Sequence, residues 1–410
     1  MQQESAREGW RSLLRREWIP TLAVLLGGVL LQSMNVLMLT TVLPSIVGEL
    51  GGVAMLSWPT TAFLASSIVA ASCAGMLAAA IGARAACCAG VTTFGIGAVL
   101  CSLATTMGWI VAGRLIQGFG GGLEAAAAYV AVRATFPEAV WSRTIALMST
   151  SWSVSVLIGP LVGGMFASFG NWRGAFVATA VTAGVLAVAA FFTLRFDRVA
   201  SNPLLPRDAF SLRTPTGVGL WVALLLCITY SPLQIYVPIF LQRLHGLDPL
   251  AAGFTVASAS LGWTAASLST AGASERWRDR LIPAGPAVMA ISLMGIAWLT
   301  PRPQTLLLIP AIVMLGMGIG QCWPLVAQRI MGGARAGDEA IAASAVPTVM
   351  QMGFALGAAF AGLVANASGL AAGLADEGMQ RAAFWVPASF VVSAMLAFLA
   401  GLRLRRLRES

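Results

Sequence analysis

Two ionisable side chains lie deep within apolar stretches of this 410-residue sequence. Glu124 follows three glycines at 120–122, and Arg114 lies ten residues before it. The other fifteen of the sixteen acidic residues fall in tails, in loops or at the ends of apolar stretches. A charge inside an apolar environment is costly and is usually paired, turned towards water or used to bind an ion. The sequence therefore directs any search for chemistry to these two residues.

Glu124 is the candidate proton carrier. Burial in a low-dielectric environment favours the protonated carboxyl, so such a group can take up and release a proton near neutral conditions. Gln117, seven residues earlier, lies on the same helical face, whereas Arg114 lies ~15 Å away along the axis and is rotated from it. We expect no direct salt bridge within the helix. The alternative is a neutral Glu124 hydrogen-bonded to a neighbouring helix.

Several kinds of catalytic site are excluded by composition. The chain has no Lys, so it has neither a GxxxxGK[ST] phosphate loop nor a Schiff-base amine. The single His245 excludes HExxH and multi-histidine metal centres. The six cysteines lie in apolar runs without CxxC spacing, which is typical of small buried side chains. We predict that the chain is not an enzyme and needs no metal or cofactor.

The elements that position these residues are predicted to be membrane-spanning helices. Hydrophobic residues make up 58% of the chain and charged residues 10%, against about 25% charged in a soluble domain. Mean hydropathy is +0.82. A span needs about 20 apolar residues, and the apolar stretch from 21 to 44 is too long for a signal peptide, so it is taken as an uncleaved first helix. The twelve predicted spans are 19–45, 55–81, 84–106, 108–134, 143–169, 174–195, 216–242, 249–273, 282–300, 304–330, 340–368 and 382–403.

The arginines orient these spans. With the N-terminus in the cytoplasm, 20 of the 25 arginines lie on the cytoplasmic side. Arg173, Arg243, Arg302 and Arg381 lie outside, and Arg114 lies within a span. This asymmetry follows the positive-inside rule and places both termini in the cytoplasm, in the inner or plasma membrane. The net charge of +9 is accounted for by topology, so no nucleic-acid partner is expected.

The chain divides at a polar stretch between the sixth and seventh spans. We predict a cytoplasmic tail at 1–18, six-helix bundles at 19–195 and 216–403, a cytoplasmic linker at 196–215 and a tail at 404–410. A shift of 198 residues maps the glycines at 118, 120, 122, 159 and 164 onto those at 316, 318, 320, 357 and 362. Two similar halves are a recurring transporter design.

The motif GPLVGG at 159–164 in the fifth span resembles the antiporter motif GxxxGPxxGG, with Ser155 at its first position. At these residues the chain resembles the major facilitator superfamily, and within it the drug:proton antiporters. Gly159, Gly163 and Gly164 would let a neighbouring backbone approach closely, and Pro160 would kink the helix. In the family this helix is associated with export.

Three further motifs resemble those of the family, and two of them lack the family's acid. RLIQGFG at 114–120 resembles RxxQGxG, whose Arg faces the central cavity and helps couple protons to transport; the alternative is that Arg114 extends to the nearby membrane surface. The first-helix signature of one antiporter group has an Asp where this chain has Asn35. The gating loop keeps Gly75, Gly82 and Arg84 but has Ala79 in place of its Asp.

The resemblance predicts a proton-coupled exporter of small amphipathic or hydrophobic compounds, monomeric and in contact with membrane lipids. An uptake transporter or uncoupled facilitator with the same fold is the alternative, and a lipid-handling membrane protein is a remote one. Polar and aromatic residues within the spans are the candidate lining of a mostly apolar substrate cavity. They are Gln32, Ser33, Asn35, Trp58, Gln117, Trp152, Gln234, Tyr236, Gln321, Trp323 and Gln351.

Overall fold

Backbone groups in lipid must find their hydrogen-bond partners within the chain, so long apolar stretches are expected to be helical. The computed structural model describes residues 10, 13, 15–52, 55, 58–194, 206–369 and 376–407. Parts of the predicted tails and linker (1–9, 11, 12, 14, 195–205 and 408–410) lie outside these residues. The described residues form fourteen helices and no strand. The helices are α1 (Ile19–Leu50), α2 (Trp58–Ile81), α3 (Ala83–Ser102), α4 (Met107–Thr135), α5 (Glu138–Ser168), α6 (Trp172–Thr193), α7 (Pro215–Ile235), α8 (Val237–His245), α9 (Pro249–Thr270), α10 (Glu275–Leu299), α11 (Thr305–Gly332), α12 (Glu339–Ala367), α13 (Asp376–Ser389) and α14 (Val391–Arg406).

Two pairs of helices continue each other across one residue. Tyr236 separates α7 from α8, and Phe390 separates α13 from α14. Prolines nearby explain both breaks, because Pro238 and Pro387 lack a backbone N–H to donate. The fourteen described helices thus form twelve stretches. Ten stretches among the described residues are long and apolar enough to cross a membrane; the others are α2, whose apolar part is shorter, and α9. The predicted all-helical membrane architecture is confirmed.

The chain divides into two units. Unit 1 is Met1–Arg207 with Ala334–Thr348, and unit 2 is Asp208–Gly333 with Val349–Ser410. The division passes through α12, whose first ten residues belong with unit 1. The bundle boundaries at 19–195 and 216–403 stay a prediction.

In unit 1, α4 packs against α2 and α3 with little side chain between the backbones. A Cβ placed on Gly118 or Gly122 would overlap the carbonyl oxygens of Phe63 and Ser67 on α2, and one on Gly120 would overlap the backbone of α3. Small residues allow this close approach where the hydrophobic effect gives no net attraction between helices. Glycine is therefore required at these positions of α4.

Unit 2 repeats this packing in α11. A Cβ on Gly316 or Gly320 would overlap the carbonyl oxygens of Ala259 and Trp263 on α9. One on Gly318 would lie 2.9 Å from the carbonyl oxygen of Gly285 on α10. The 198-residue repeat therefore corresponds to the same local helix packing inside each unit.

Candidate functional site

Arg114 is completely buried in unit 1, between α4, α1 and α2. Its Nη1 donates hydrogen bonds to Oδ1 of Asn35 and, at 3.0 Å, to Oε1 of Gln117. Its Nε donates to the carbonyl oxygen of Pro59 at 3.4 Å. The guanidinium carbon lies 4.2 Å from the ring centroid of Phe63. The guanidinium is thus enclosed by the helices of unit 1 and has no exposed surface.

The surroundings of Arg114 supply hydrogen-bond acceptors but no negative charge. Among the described residues Arg114 forms no ion pair, because the position where the related motif has Asp is Asn35. Three donor atoms are buried and have no hydrogen-bond partner among the residues that the structure describes: Nη2 of Arg114, Nδ2 of Asn35 and Nε2 of Gln117. The arrangement is a cationic cluster with an excess of donors.

Glu124 lies nearly three helical turns beyond Arg114 on α4 and is 4% exposed. Its Oε2 is buried and has no hydrogen-bond partner in the described part of the chain. Its carboxyl borders a small cavity of about 10 Å³, roughly the space that one water molecule needs. The cavity is lined by Gly28, Leu31, Gln32, Val91, Phe94, Gly121 and Glu124. The cavity beside the carboxyl has room for about one water molecule, whereas a drug-sized compound does not fit there.

Helix α1 contributes to both polar clusters. Gln32 lines the cavity at Glu124, and a Cβ on Gly121 would lie 3.2 Å from Nε2 of Gln32. Asn35, one turn further along α1, binds Arg114. The structure thus brings together the N-terminal candidates in two groups, Gln32 with Glu124 and Asn35 with Arg114 and Gln117.

The motif at 159–164 packs α5 against α1. Gly159 lies against α1, where an added Cβ would be 3.0 Å from the carbonyl oxygen of Met34. An added Cβ on Gly163 would overlap Oγ1 of Thr41, whereas one on Gly164 would meet no atom of another described helix within 4 Å. Pro160 lies inside the helix. Two of the three motif glycines therefore form the contact between α1 and α5.

A hydrogen bond between two serines extends this contact. Ser33 of α1 donates to Oγ of Ser155 at 2.6 Å, and Ser155 lies near the carbonyl oxygens of Leu30 and Ser151. Sequence analysis identified both serines but not their bond. Serine at position 155 thus adds a polar link where the family motif has glycine.

The gating-loop residues lie at the junction of α2 and α3. Gly75 lies in α2, and Gly82 joins the two helices with φ of +90°, a conformation that favours glycine. The guanidinium carbon of Arg84 lies 4.2 Å from the ring centroid of Phe191 on α6. Arg84 therefore stacks on an aromatic ring of its own unit.

The candidates in unit 2 are dispersed. Gln234 is exposed, whereas Tyr236, Gln321 and Gln351 are half-buried. No hydrogen bond among the described residues joins these four side chains to one another. Nε2 of Gln321 is buried and has no hydrogen-bond partner within the described ranges. Nearby aromatic rings are packed as core, with centroids of Trp263 and Trp323 6.4 Å apart.

Sequence analysis missed an ion pair between the end of α1 and the start of α6. Oε1 of Glu49 lies 2.5 Å from Nη1 of Arg173, and Trp172 donates to Oε2 of Glu49 at 2.7 Å. Arg173 also donates to the carbonyl oxygen of Ala104 at 2.9 Å. The hydrogen bond from Arg173, followed by that from Trp172, lowers the pKa of Glu49. The predicted topology places both helix ends on the same side of the membrane, and this is the only sequence feature that favours a contact between Glu49 and Arg173.

Comparisons with known proteins agree with this arrangement. Residues 25–358 match the sequence profile of the Major Facilitator Superfamily. A Mycobacterium tuberculosis protein named as a probable multidrug-efflux transporter is 31% identical, and the alignment covers 96% of this chain and 98% of that protein. The tetracenomycin C resistance and export protein of Streptomyces glaucescens is 24% identical, over 85% of this chain and 76% of its own.

Solved structures match the fold. The human organic anion transporter MFSD10 matches with a TM-score of 0.76 at 14% identity, over 94% of this chain and 100% of its own. The proton:xylose symporter XylE matches with a TM-score of 0.75 at 12% identity, over 95% and 98%. The resemblance seen in the motifs is confirmed. The chain therefore belongs to the Major Facilitator Superfamily and is a multi-pass membrane transporter of small molecules, not an enzyme.

Proposed function

We propose that this transporter exports small amphipathic or hydrophobic compounds by alternating access, driven by proton entry. Relatives over most of the chain are named for multidrug efflux and for tetracenomycin C export, which favours efflux. We further propose that it acts as a monomer in the inner or plasma membrane, in contact with lipids and with both termini in the cytoplasm. The observation that carries proton coupling is the buried carboxyl of Glu124 beside its water-sized cavity.

Glu124 suits this role because the free energy of its charged form, relative to its neutral form, should differ between conformations. In the closed surroundings described above, the charged carboxyl would have neither a hydrogen-bond partner for Oε2 nor bulk water, so the neutral form is favoured. A state that opens the site to water would favour the charged form. An ion can drive a conformational change only through such a difference between states.

Arg114 would assist as a fixed positive charge on the same helix. It lies ~15 Å from Glu124 along α4, too far for a direct bond but within reach of a field weakly screened by apolar surroundings. As the counterpart of the Arg in the related motif, it would take part in coupling proton movement to transport.

Transport into everted membrane vesicles tests the proposal. A fluorescent amphipathic dye should accumulate in vesicles carrying the wild-type protein under an imposed pH gradient, and accumulation should collapse when the gradient is dissipated. Glu124→Gln should reduce gradient-driven accumulation at least tenfold, while dye exchange without a gradient persists. Glu124→Asp should retain part of the activity.

The matched control is Glu377→Gln, because Glu377 is an exposed carboxyl at the start of α13. It should transport like the wild type. Full gradient-driven transport by Glu124→Gln would refute the role of Glu124 as proton carrier.

An uncoupled facilitator is the second candidate, favoured by Asn35, which cannot ionise where the related motif has an acid. A facilitator would move the dye equally with and without the gradient. Its flux would also be unchanged by Glu124→Gln, so the same vesicles separate the two functions.

A further inference from the structure

We propose that Arg114, Asn35 and Gln117 form a binding site for a compact monovalent anion, either a halide ion or a carboxylate group. The site lies within unit 1, between α1 and α4. The inference does not depend on proton coupling or on the direction of transport.

The first argument is uncompensated charge. A guanidinium stays protonated in proteins, and Arg114 is fully buried. A buried charge is costly unless a partner of opposite sign and hydrogen bonds compensate it. Among the described residues Arg114 has no ion-pair partner. The ring of Phe63 offsets part of the charge from one face, but it leaves the net charge in place.

The second argument is the chemistry of the unused atoms. Nη1 of Arg114 already holds Oδ1 of Asn35 and Oε1 of Gln117. In each side-chain amide the nitrogen and the oxygen share one carbon atom. The NH2 groups of Asn35 and Gln117 therefore lie close to the guanidinium that binds their oxygens. With Nη2, they make three buried donors that have no partner in the described part of the chain. Their complement is a ligand that only accepts hydrogen bonds.

Charge and donors together select the ligand class. Water can accept from the three donors, but it cannot compensate the charge. A halide ion or a carboxylate satisfies both requirements, because each carries a negative charge and accepts hydrogen bonds from Nη2 and from the amide nitrogens. Cations and donor-rich groups are disfavoured.

The closed surroundings set the conditions of binding. Arg114, Asn35 and Gln117 are each 0% exposed, so the anion must enter while the helices around the site separate. Entry and release of the anion are therefore coupled to the conformational change that exposes Arg114.

Equilibrium dialysis of the purified full-length protein in detergent tests the site. Radiolabelled chloride and radiolabelled benzoate are titrated separately, and each is then competed with the other. Arg114→Gln removes the charge. Asn35→Asp places a carboxylate beside the guanidinium and should occupy the site from within. Arg302→Gln is the matched control, because Arg302 stacks on Trp298 in unit 2.

The expected result is saturable binding of at least one anion to the wild type and to Arg302→Gln, at least tenfold weaker in both site variants. Binding of chloride but not benzoate would identify an inorganic-anion site, whereas binding of benzoate would identify recognition of a carboxylate on a transported compound. The proposal fails if neither anion binds saturably, or if Asn35→Asp binds as the wild type does. Asn35→Asp keeps the test decisive if Arg114→Gln fails to fold, since it retains the charge and adds its partner.

Discussion

The carboxyl group of Glu124 occupies the space that a side chain at position 28 would fill. A Cβ built on Gly28 would overlap Oε1 of Glu124 and lie 2.8 Å from its Cδ. The glycine is on α1 and the acid on α4, so the two helices are fitted to each other at this point. Because position 28 has no side chain, the carboxyl can lie beside the small cavity.

Replacing Gly28 by Ala should therefore impair Glu124 without unfolding the protein. The displaced group is the far end of a flexible side chain, which can rotate away. The carboxyl would move away from the cavity that it lines. Gradient-driven dye accumulation should then fall about tenfold, the equivalent of ~1.4 kcal/mol. Transport in proteoliposomes under an imposed pH gradient measures this.

Gly48→Ala is the matched control, because Gly48 is on the same helix and an added Cβ there would meet no atom of another described helix within 4 Å. In a Glu124→Ala background, Gly28→Ala should change neither residual exchange nor the unfolding temperature. If Gly28→Ala reduced transport in the Glu124→Ala background as much as it does alone, its effect would not depend on Glu124.

Two adjacent glycines of the motif at 159–164 should respond oppositely to Ala. An added Cβ on Gly163 would overlap Oγ1 of Thr41 and lie 2.7 Å from the carbonyl oxygen of Met38, whereas Gly164 has open space. Gly163→Ala should separate α1 from α5 and cost about 1–3 kcal/mol, as overpacking does. Gly164→Ala should be neutral or stabilising. Thermal unfolding in detergent compares them; similar unfolding temperatures would contradict the packing described.

The glycines of the repeat should be equally intolerant in both units. Gly122→Ala and Gly320→Ala each drive a Cβ into a carbonyl oxygen, of Ser67 on α2 and of Trp263 on α9. Neither backbone can move without shifting a helix, so each variant should lose about 1–3 kcal/mol or more. Gly184→Ala on α6 has open space and should gain up to about 1 kcal/mol. Unfolding curves of the three variants provide the comparison, and a tolerated Gly320→Ala would refute the equivalence of the units.

Hydropathy predicted the helices well because lipid imposes one rule on all of them. The first span was predicted as 19–45 and α1 is Ile19–Leu50. The breaks at Tyr236 and Phe390 were not predicted, because a proline lowers helix stability without fixing where the chain bends. The glycine repeat was visible because close helix contacts permit little besides glycine.

The contacts of the candidate site could not be predicted from one sequence. Burial of Glu124 and Arg114 follows from their surroundings, but the partner of each depends on which helix faces them. Asn35 lies 79 residues from Arg114, and periodicity assigns a residue to a face of its own helix without naming the helix opposite. The contact between Gly28 and Glu124 could not be predicted for the same reason.

The ion pair between Glu49 and Arg173 is a second feature that the sequence alone does not predict. Glu49 lies beyond the apolar span Ile19–Leu39, at the last turn of α1. Its carboxylate joins α1 to the start of α6 through Arg173 and Trp172. Both side chains of the ion pair are partly exposed, so its strength should depend on salt and pH.

The pH dependence of stability should reveal this contact. The hydrogen bonds from Arg173 and Trp172 lower the pKa of Glu49 in the folded protein. Such a group stabilises the fold above its unfolded pKa, about 4.3, and this contribution disappears as the pH falls through the lowered folded value. Glu49→Gln should therefore unfold at a lower temperature than the wild type at pH 7, and the difference should vanish in acid. Arg173→Gln should show the same pattern, and the double variant should lose no more than either single one. A difference that persists below pH 3 would assign the loss to packing instead of charge.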